Sequence, residues 1–350
     1  MAVLAGLVWP FLAVSAHAQP EAMPITLLSN RDPAVLPASA TEPLSASPYS
    51  PVQYAAEPGP MPMPAPAQPF PIADSMPTVG PVPAVGDGPP QTSPYAGLTA
   101  PWTCQVLPDG LMYKNYLAGN EEARLGTQLY YSKQIGWTWD SNLGGHAGLI
   151  RYGTQDPAWP EGWQVDVEGV AVVRLDSTRS LVSSDFRFGF PLTWREGPWE
   201  FKFGYYHVSS HLGDLYIQSH PGIERINYKR EQLVLGVAYR PIPDLRIYSE
   251  ANWAFCEDGG SQPWEFQFGI DYSPSQPNGY WGAPFAAVNT KLMEDVNYSG
   301  NFTVEAGWQW RGPTGHTLRT GLEYFNGYSF QRQFYNDFQS FIGAGVWYDF

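Results

Sequence analysis

Phe302-Thr303-Val304-Glu305-Ala306-Gly307-Trp308-Gln309-Trp310-Arg311 sorts its side chains by parity: Phe302, Val304, Ala306, Trp308 and Trp310 alternate with Thr303, Glu305, Gly307, Gln309 and Arg311. Successive side chains of an extended chain point to opposite faces, so this stretch reads as a strand with one apolar and one polar face. Working outward, Trp163, Val165, Val167, Ala171, Val173 and Leu175 alternate with Gln164, Asp166, Glu168 and Arg174. Trp264, Phe266, Phe268, Ile270 and Tyr272 alternate in the same way with Glu265, Gln267, Gly269 and Asp271. The pattern predicts twelve strands, over 124–134, 143–153, 163–175, 183–194, 198–209, 228–241, 244–255, 263–273, 283–292, 299–311, 315–326 and 338–350.

Strands of about 9–11 residues, even in number and rich in aromatic residues, suit a transmembrane barrel; sandwich strands average about 5–6 residues. The turns agree. Arg195–Pro198, Pro241–Asp244 and Gly312–Gly315 are short and fall on one side of a twelve-strand count. The long connections 210–227 and 327–337 fall on the other. Connections 154–162 and 274–282 are longer than a short-turn side should carry. The fold class expected is therefore all-β, an antiparallel transmembrane β-barrel of about 12 strands, preceded by a disordered Pro-rich segment.

Composition divides the chain. Of 350 residues, 35 are Pro and 35 are Gly, and the net charge is −14. Twenty prolines lie between residues 20 and 94 among only seven charged residues, whereas 13 of 14 Trp and 18 of 19 Lys+Arg follow residue 100. Residues 1–18 are apolar and end in Ala16-His17-Ala18, the form of a signal peptide with its cleavage site. No Lys or Arg precedes Arg31, which points to a true start upstream. Residues 19–100 lack the apolar clusters needed to offset ordering entropy and read as a semi-stiff Pro-rich linker, with a periplasmic partner as its binding role if it has one. Residues 101–123 form an N-terminal lead-in and 124–350 the barrel. Negative charge without a basic cluster argues against nucleic-acid binding. Cys104 and Cys256 fall at opposite ends of the barrel and are not expected to bridge.

The expected inward face carries both signs: Asp166, Glu168, Arg174, Arg187, Lys202, Arg246, Glu250, Glu265, Asp271, Glu305, Arg319 and Glu323. Cross-strand pairing then predicts a filled or narrow lumen rather than a wide pore. Gly189, Gly204, Gly236, Gly269, Gly307 and Gly321 share that face, where glycine relieves crowding as a small barrel curls tightly or leaves room for a long facing side chain.

Two features resemble known families. Ile342, Ala344, Val346, Tyr348 and Phe350 alternate and end on Phe, similar to the C-terminal strand of bacterial outer-membrane proteins. That implies an outer-membrane location and recognition by the barrel-assembly machinery through Phe350. The run Tyr206-His207-Val208-Ser209-Ser210-His211-Leu212-Gly213-Asp214 puts His207 and Ser209 on the lipid-facing side with Trp199, Phe201, Phe203 and Tyr205. An H-x-S pair there resembles outer-membrane phospholipase A and the lipid A deacylases. The resemblance implies Ser209 as nucleophile, His207 as base, outer-membrane lipid as substrate and calcium as a cofactor only under that reading. The families follow the Ser with Asn, whereas this chain has Ser210, and their third member falls here on Pro221. Glu224, Asn227 and Glu231 are the substitutes within reach.

The plainer reading makes His207 one more ring of the outer girdle. His207, His211, Asp214 and His220 are the metal-ligand candidates, irregularly spaced. From Leu107-Pro108-Asp109-Gly110 through the Ser-Ser-His-Leu-Gly-Asp run to the C-terminus, the chain also resembles an uncharacterised family of exported proteins of planctomycetes, domain of unknown function family 1207. The readings left open are an envelope-associated structural barrel, a lipid acyl-ester hydrolase and a narrow diffusion channel.

Overall fold

A polar-in, apolar-out alternation has no stable flat form in a membrane, because an open sheet edge leaves its backbone groups without partners; closure removes the edge. The computed structural model describes residues 101–350, and there the alternation closes into a barrel. The expected signal peptide and Pro-rich linker lie outside the described residues.

Among the described residues there are thirteen strands: β1 (Thr103–Val106), β2 (Leu125–Ser132), β3 (Gly136–Gly153), β4 (Gly162–Leu175), β5 (Leu181–Glu196), β6 (Trp199–Leu212), β7 (Lys229–Ile242), β8 (Leu245–Asp258), β9 (Trp264–Tyr272), β10 (Ala283–Met293), β11 (Ser299–Arg311), β12 (Thr317–Tyr328) and β13 (Phe338–Asp349). A short helix, α1 (Asp214–Ser219), follows β6. Strands β2 to β13 pair antiparallel in chain order, and β13 returns to β2 from Ile342↔Tyr131 to Tyr348↔Leu125, so twelve strands close the wall.

Most wall-strand ends fall within three residues of the sequence expectation, and two features depart from it further. The second wall strand begins at Gly136, not 143, after a tight turn at 133–135. The four-residue β1 was not expected; it lies on the same edge of β3 as β2, with Thr103↔Gly153 and Val106↔Ile150. The lead-in expected over 101–123 thus starts in the wall and leaves it at Leu107.

Residues 107–124 then fill the lumen. Leu111, Met112, Tyr113, Tyr116, Leu117 and Ala118 are all buried. Tyr116 stacks on Tyr248 at 3.8 Å and donates to Glu250 of β8 at 2.8 Å. Asn120 donates to Glu323 of β12 at 2.8 Å and accepts from Thr303 of β11 at 2.7 Å. Arg124 pairs with Asp349 of β13 at 3.1 Å. Contacts to strands on all sides show that this segment is a plug. From the opposite rim, the connection 329–337 folds inward, and Arg332 joins Glu121 at the plug's tip (2.8 Å) to Glu265 of β9 (2.5 Å).

The inward charges pair as their mixed signs predict: Arg174–Asp140 at 2.7 Å, Lys202–Glu250 at 2.5 Å, and Arg187–Glu168 and Arg319–Glu305 in close contact. Gly189 shows what inward glycine does. A Cβ there would meet the Tyr206 ring at 2.3 Å and the Tyr205 carbonyl at 2.8 Å. Tyr206 is fully buried beneath the Arg187 guanidinium, 4.6 Å from its ring, and has nowhere to go. Gly189→Ala is therefore expected to destabilise the folded barrel by about 1–3 kcal/mol, read as a lower urea midpoint in detergent; an unchanged midpoint would show that the ring yields.

Candidate functional site

Strand β6 carries Trp199, Phe201, Phe203, Tyr205, His207, Ser209 and His211 on its outer face and Glu200, Lys202, Tyr206, Val208 and Ser210 on its buried inner face. His207 and Ser209 therefore share the lipid-facing side near the long-connection rim, as parity requires. Ser210 is inward; its hydroxyl donates to Asp185, and its carbonyl accepts from Gln333 at 3.1 Å.

The neighbouring strand supplies the rest. In register, His207 faces Glu231 and Ser209 faces Lys229 across β6–β7. Glu231 Oε1 lies 2.9 Å from His207 Nδ1, and its other oxygen accepts from the Tyr205 hydroxyl. On the β5 side, Phe188 packs against the His207 ring at 5.1 Å. The β7–β8 ladder slips between Glu231 and Gln232, so Phe255 of β8 is the extra residue beside this site. Such bulges re-aim side chains at the ends of strands. Phe255 stands 6.4 Å from Tyr205, enclosing the group in rings.

Of the three residues weighed as a third member, Glu231 is the one in contact with His207. Asn227 donates instead to Asp258 at 2.9 Å, and Glu224 is exposed in the connection beyond α1. Among the described residues no hydrogen bond joins His207 to Ser209; residues i and i+2 of a strand sit about 6.5 Å apart along the chain, so a serine rotamer must close that gap. The metal-ligand candidates separate. His211 lies 2.9 Å from Arg225, and His220 stacks on Tyr216 at 4.1 Å. Among the described residues no three His, Cys, Asp or Glu side chains are grouped to share a metal ion.

Sequence reasoning did not single out the plug–wall contacts. The polar run Lys114, Asn115, Asn120, Glu121, Glu122 and Arg124, which has no period of two, was the available signal.

Wall, plug and outer site together define an outer-membrane-type β-barrel with an occupied lumen. The chain belongs to the family described as "Protein of unknown function (DUF1207)", whose model matches residues 104–350. No functionally curated protein matches it. Solved structures similar to it include the KdgM porin, at 12% identity, covering 65% of this chain and 99% of that one with a TM-score of 0.39. Outer membrane phospholipase A from Escherichia coli is similar at 12% identity, covering 64% and 89%, with a TM-score of 0.44. A Rhodopseudomonas blastica porin follows at 8% identity, covering 65% and 99%, with a TM-score of 0.31. The likeness is one of fold.

Proposed function

We propose that this chain is a closed outer-membrane barrel that hydrolyses acyl esters of membrane lipids on its lipid-facing wall, with Ser209 as nucleophile, His207 as base and Glu231 orienting the imidazole. The observation that carries the reading is the 2.9 Å contact of Glu231 with His207 Nδ1, on the same outer face as Ser209. A carboxylate on Nδ1 fixes the tautomer that leaves Nε2 unprotonated, which is what a serine nucleophile needs from its base.

The chemistry then runs in two halves. Ser209 Oγ adds to the acyl carbonyl carbon as its proton passes to His207 Nε2. The tetrahedral intermediate collapses by breaking the ester C–O bond, and the imidazolium returns the proton to the departing lipid alcohol. Water, deprotonated by His207, releases the fatty acid and restores Ser209. Lys229, opposite Ser209, brings positive charge near the developing oxyanion and an anionic headgroup.

The filled lumen supports this reading against a diffusion channel, because it leaves the outer wall as the face open to substrate. A fluorophosphonate probe added to the full-length chain in detergent is expected to form one covalent adduct, at Ser209, that is lost on prior denaturation. Peptide mass spectrometry locates it. A folded barrel that takes no label, or takes it at Ser210, overturns the assignment. Running the reaction with and without calcium reports whether a metal assists the headgroup.

A further inference from the structure

At the rim bearing the short turns 197–198, 243–244 and 312–316, the lumen gathers five basic side chains around one cavity: Lys114 of the plug with Arg195, Arg240, Arg246 and Arg311 of the wall. Three carboxylates stand among them: Glu200, Asp271 and, within electrostatic range of Arg195, the buried Glu161. Glu200 accepts from Arg240 at 2.6 Å and pairs with Arg246 at 2.9 Å, and Asp271 lies 3.8 Å from Arg246. Arg311 spends its donors on neutral groups, the Pro274 and Gly315 carbonyls (2.8 and 3.0 Å) and the Ser273 hydroxyl (2.7 Å). Lys114 reaches the Gly315 carbonyl at 3.3 Å.

Arg195 is the outlier. It is 0% exposed, its guanidinium lies 3.4 Å from the centre of the Trp159 ring, and none of its three nitrogens makes a hydrogen bond. Its nearest carboxylate oxygen, on Glu200, is 3.5 Å away. A buried guanidinium with all its donors unspent is costly, and native structures answer such groups with bound water or an ion. In formal charge, five bases against the three carboxylates Glu200, Asp271 and Glu161 leave two positive charges, which water alone does not neutralise.

We infer that this cavity is a binding site for one small tetrahedral oxyanion of the phosphate class, held at the Arg195, Lys114 and Arg311 side and tying the plug to the wall. Guanidinium forks match the geometry of phosphate oxygens, and stacking on the Trp159 face orients the planar Arg195 fork. The cavity leaves about 40 Å³ for the centres of water-sized molecules, room for a single anion and not for a chain of them. The site stands apart from the hydrolytic face and does not depend on it.

The test is calorimetric titration of the full-length chain in detergent with inorganic phosphate at constant ionic strength. Wild type is expected to bind about one equivalent. Arg195→Gln and Lys114→Gln should each weaken binding about tenfold or more, as loss of a charge-assisted hydrogen bond implies. Lys133→Gln, on the exposed 133–135 turn, should leave it unchanged. Heat-modifiable migration checks folding; because Lys114 belongs to the plug, its variant serves if Arg195→Gln does not fold. Glycerol 3-phosphate as a second probe separates the sources: binding points to a lipid headgroup, refusal to free phosphate. No binding to folded wild type, or equal affinity in the folded variants, overturns the proposal.

Discussion

Ser209→Ala is expected to cut fatty-acid release from phospholipid by at least about 10³-fold while leaving the barrel as stable as wild type. The size follows from chemistry: without the nucleophile, only binding and electrostatic stabilisation of the transition state persist. The unchanged stability follows from structure, since among the described residues no hydrogen bond involves the Ser209 hydroxyl, which sits on the outer wall. Ser210→Ala is the complementary control. It removes a buried hydroxyl bonded to Asp185, so it should lower the unfolding midpoint and leave the rate per folded molecule alone. Glu231→Gln keeps the shape but not the charge that stabilises the imidazolium, and should cost about 10–10²-fold in kcat. Initial rates on phospholipid and on lipid A in mixed micelles give these ratios. If Ser209→Ala keeps wild-type activity, or folded wild type releases no acid from either lipid, His207 reverts to a girdle ring held by Glu231 and Phe188.

Where the wall alternates, its elements were readable from parity alone. β4 from Trp163 to Leu175 and β11 from Phe302 to Arg311 each carry an apolar outer set and a polar inner set over a length that suits a transmembrane barrel strand. The beginning of β3, expected only from 143, was missed although its alternation is there. Trp137, Trp139 and Leu143 alternate with Thr138, Asp140 and Asn142, and the short turn at 133–135 hid the pairing.

The plug could not be read this way. A segment surrounded by wall on every side has no outer face, so residues 107–124 carry no period, and their partners Glu250, Glu323 and Asp349 lie far along the chain. The outer site fell between these cases. Parity placed His207 and Ser209 on one face, but only the register of β6 against β7 puts Glu231 opposite His207 and Asn227 out of reach. Arg195 was illegible for a different reason: its meaning depends on Trp159 in a connecting loop and on donors that no partner takes up.

Excising the plug should turn a silent barrel into a conducting one. β1 and β2 both pair with one edge of β3, at Ile150–Gly153 and at Gly136–Leu143. Between them Leu107 N donates to the Leu149 carbonyl, and Gly144 N donates to the Arg124 carbonyl, each at 2.9 Å. They are two pieces of one wall strand, interrupted where the chain dips into the lumen. Replacing Pro108–Ala123 by a link of about four alternating residues, at ~3.4 Å each, would bridge the gap along β3 and complete the strand. A twelve-stranded wall lies between barrels of about 8 strands, which side chains fill, and porins of about 16, which hold an aqueous channel. Emptied of Tyr113, Tyr116 and Leu117, it should therefore conduct. Glu250, Glu323 and Asp349 lose polar partners in the same step, so a lower unfolding midpoint should accompany the current. Planar-bilayer recordings are expected to show no steps for wild type and discrete steps for the excised barrel, larger still with Arg332→Ala, which releases the inward connection from Glu265. Comparable steps from wild type would mean that the plug does not seal the lumen. Silence from a folded double variant would mean that the paired wall charges alone close it.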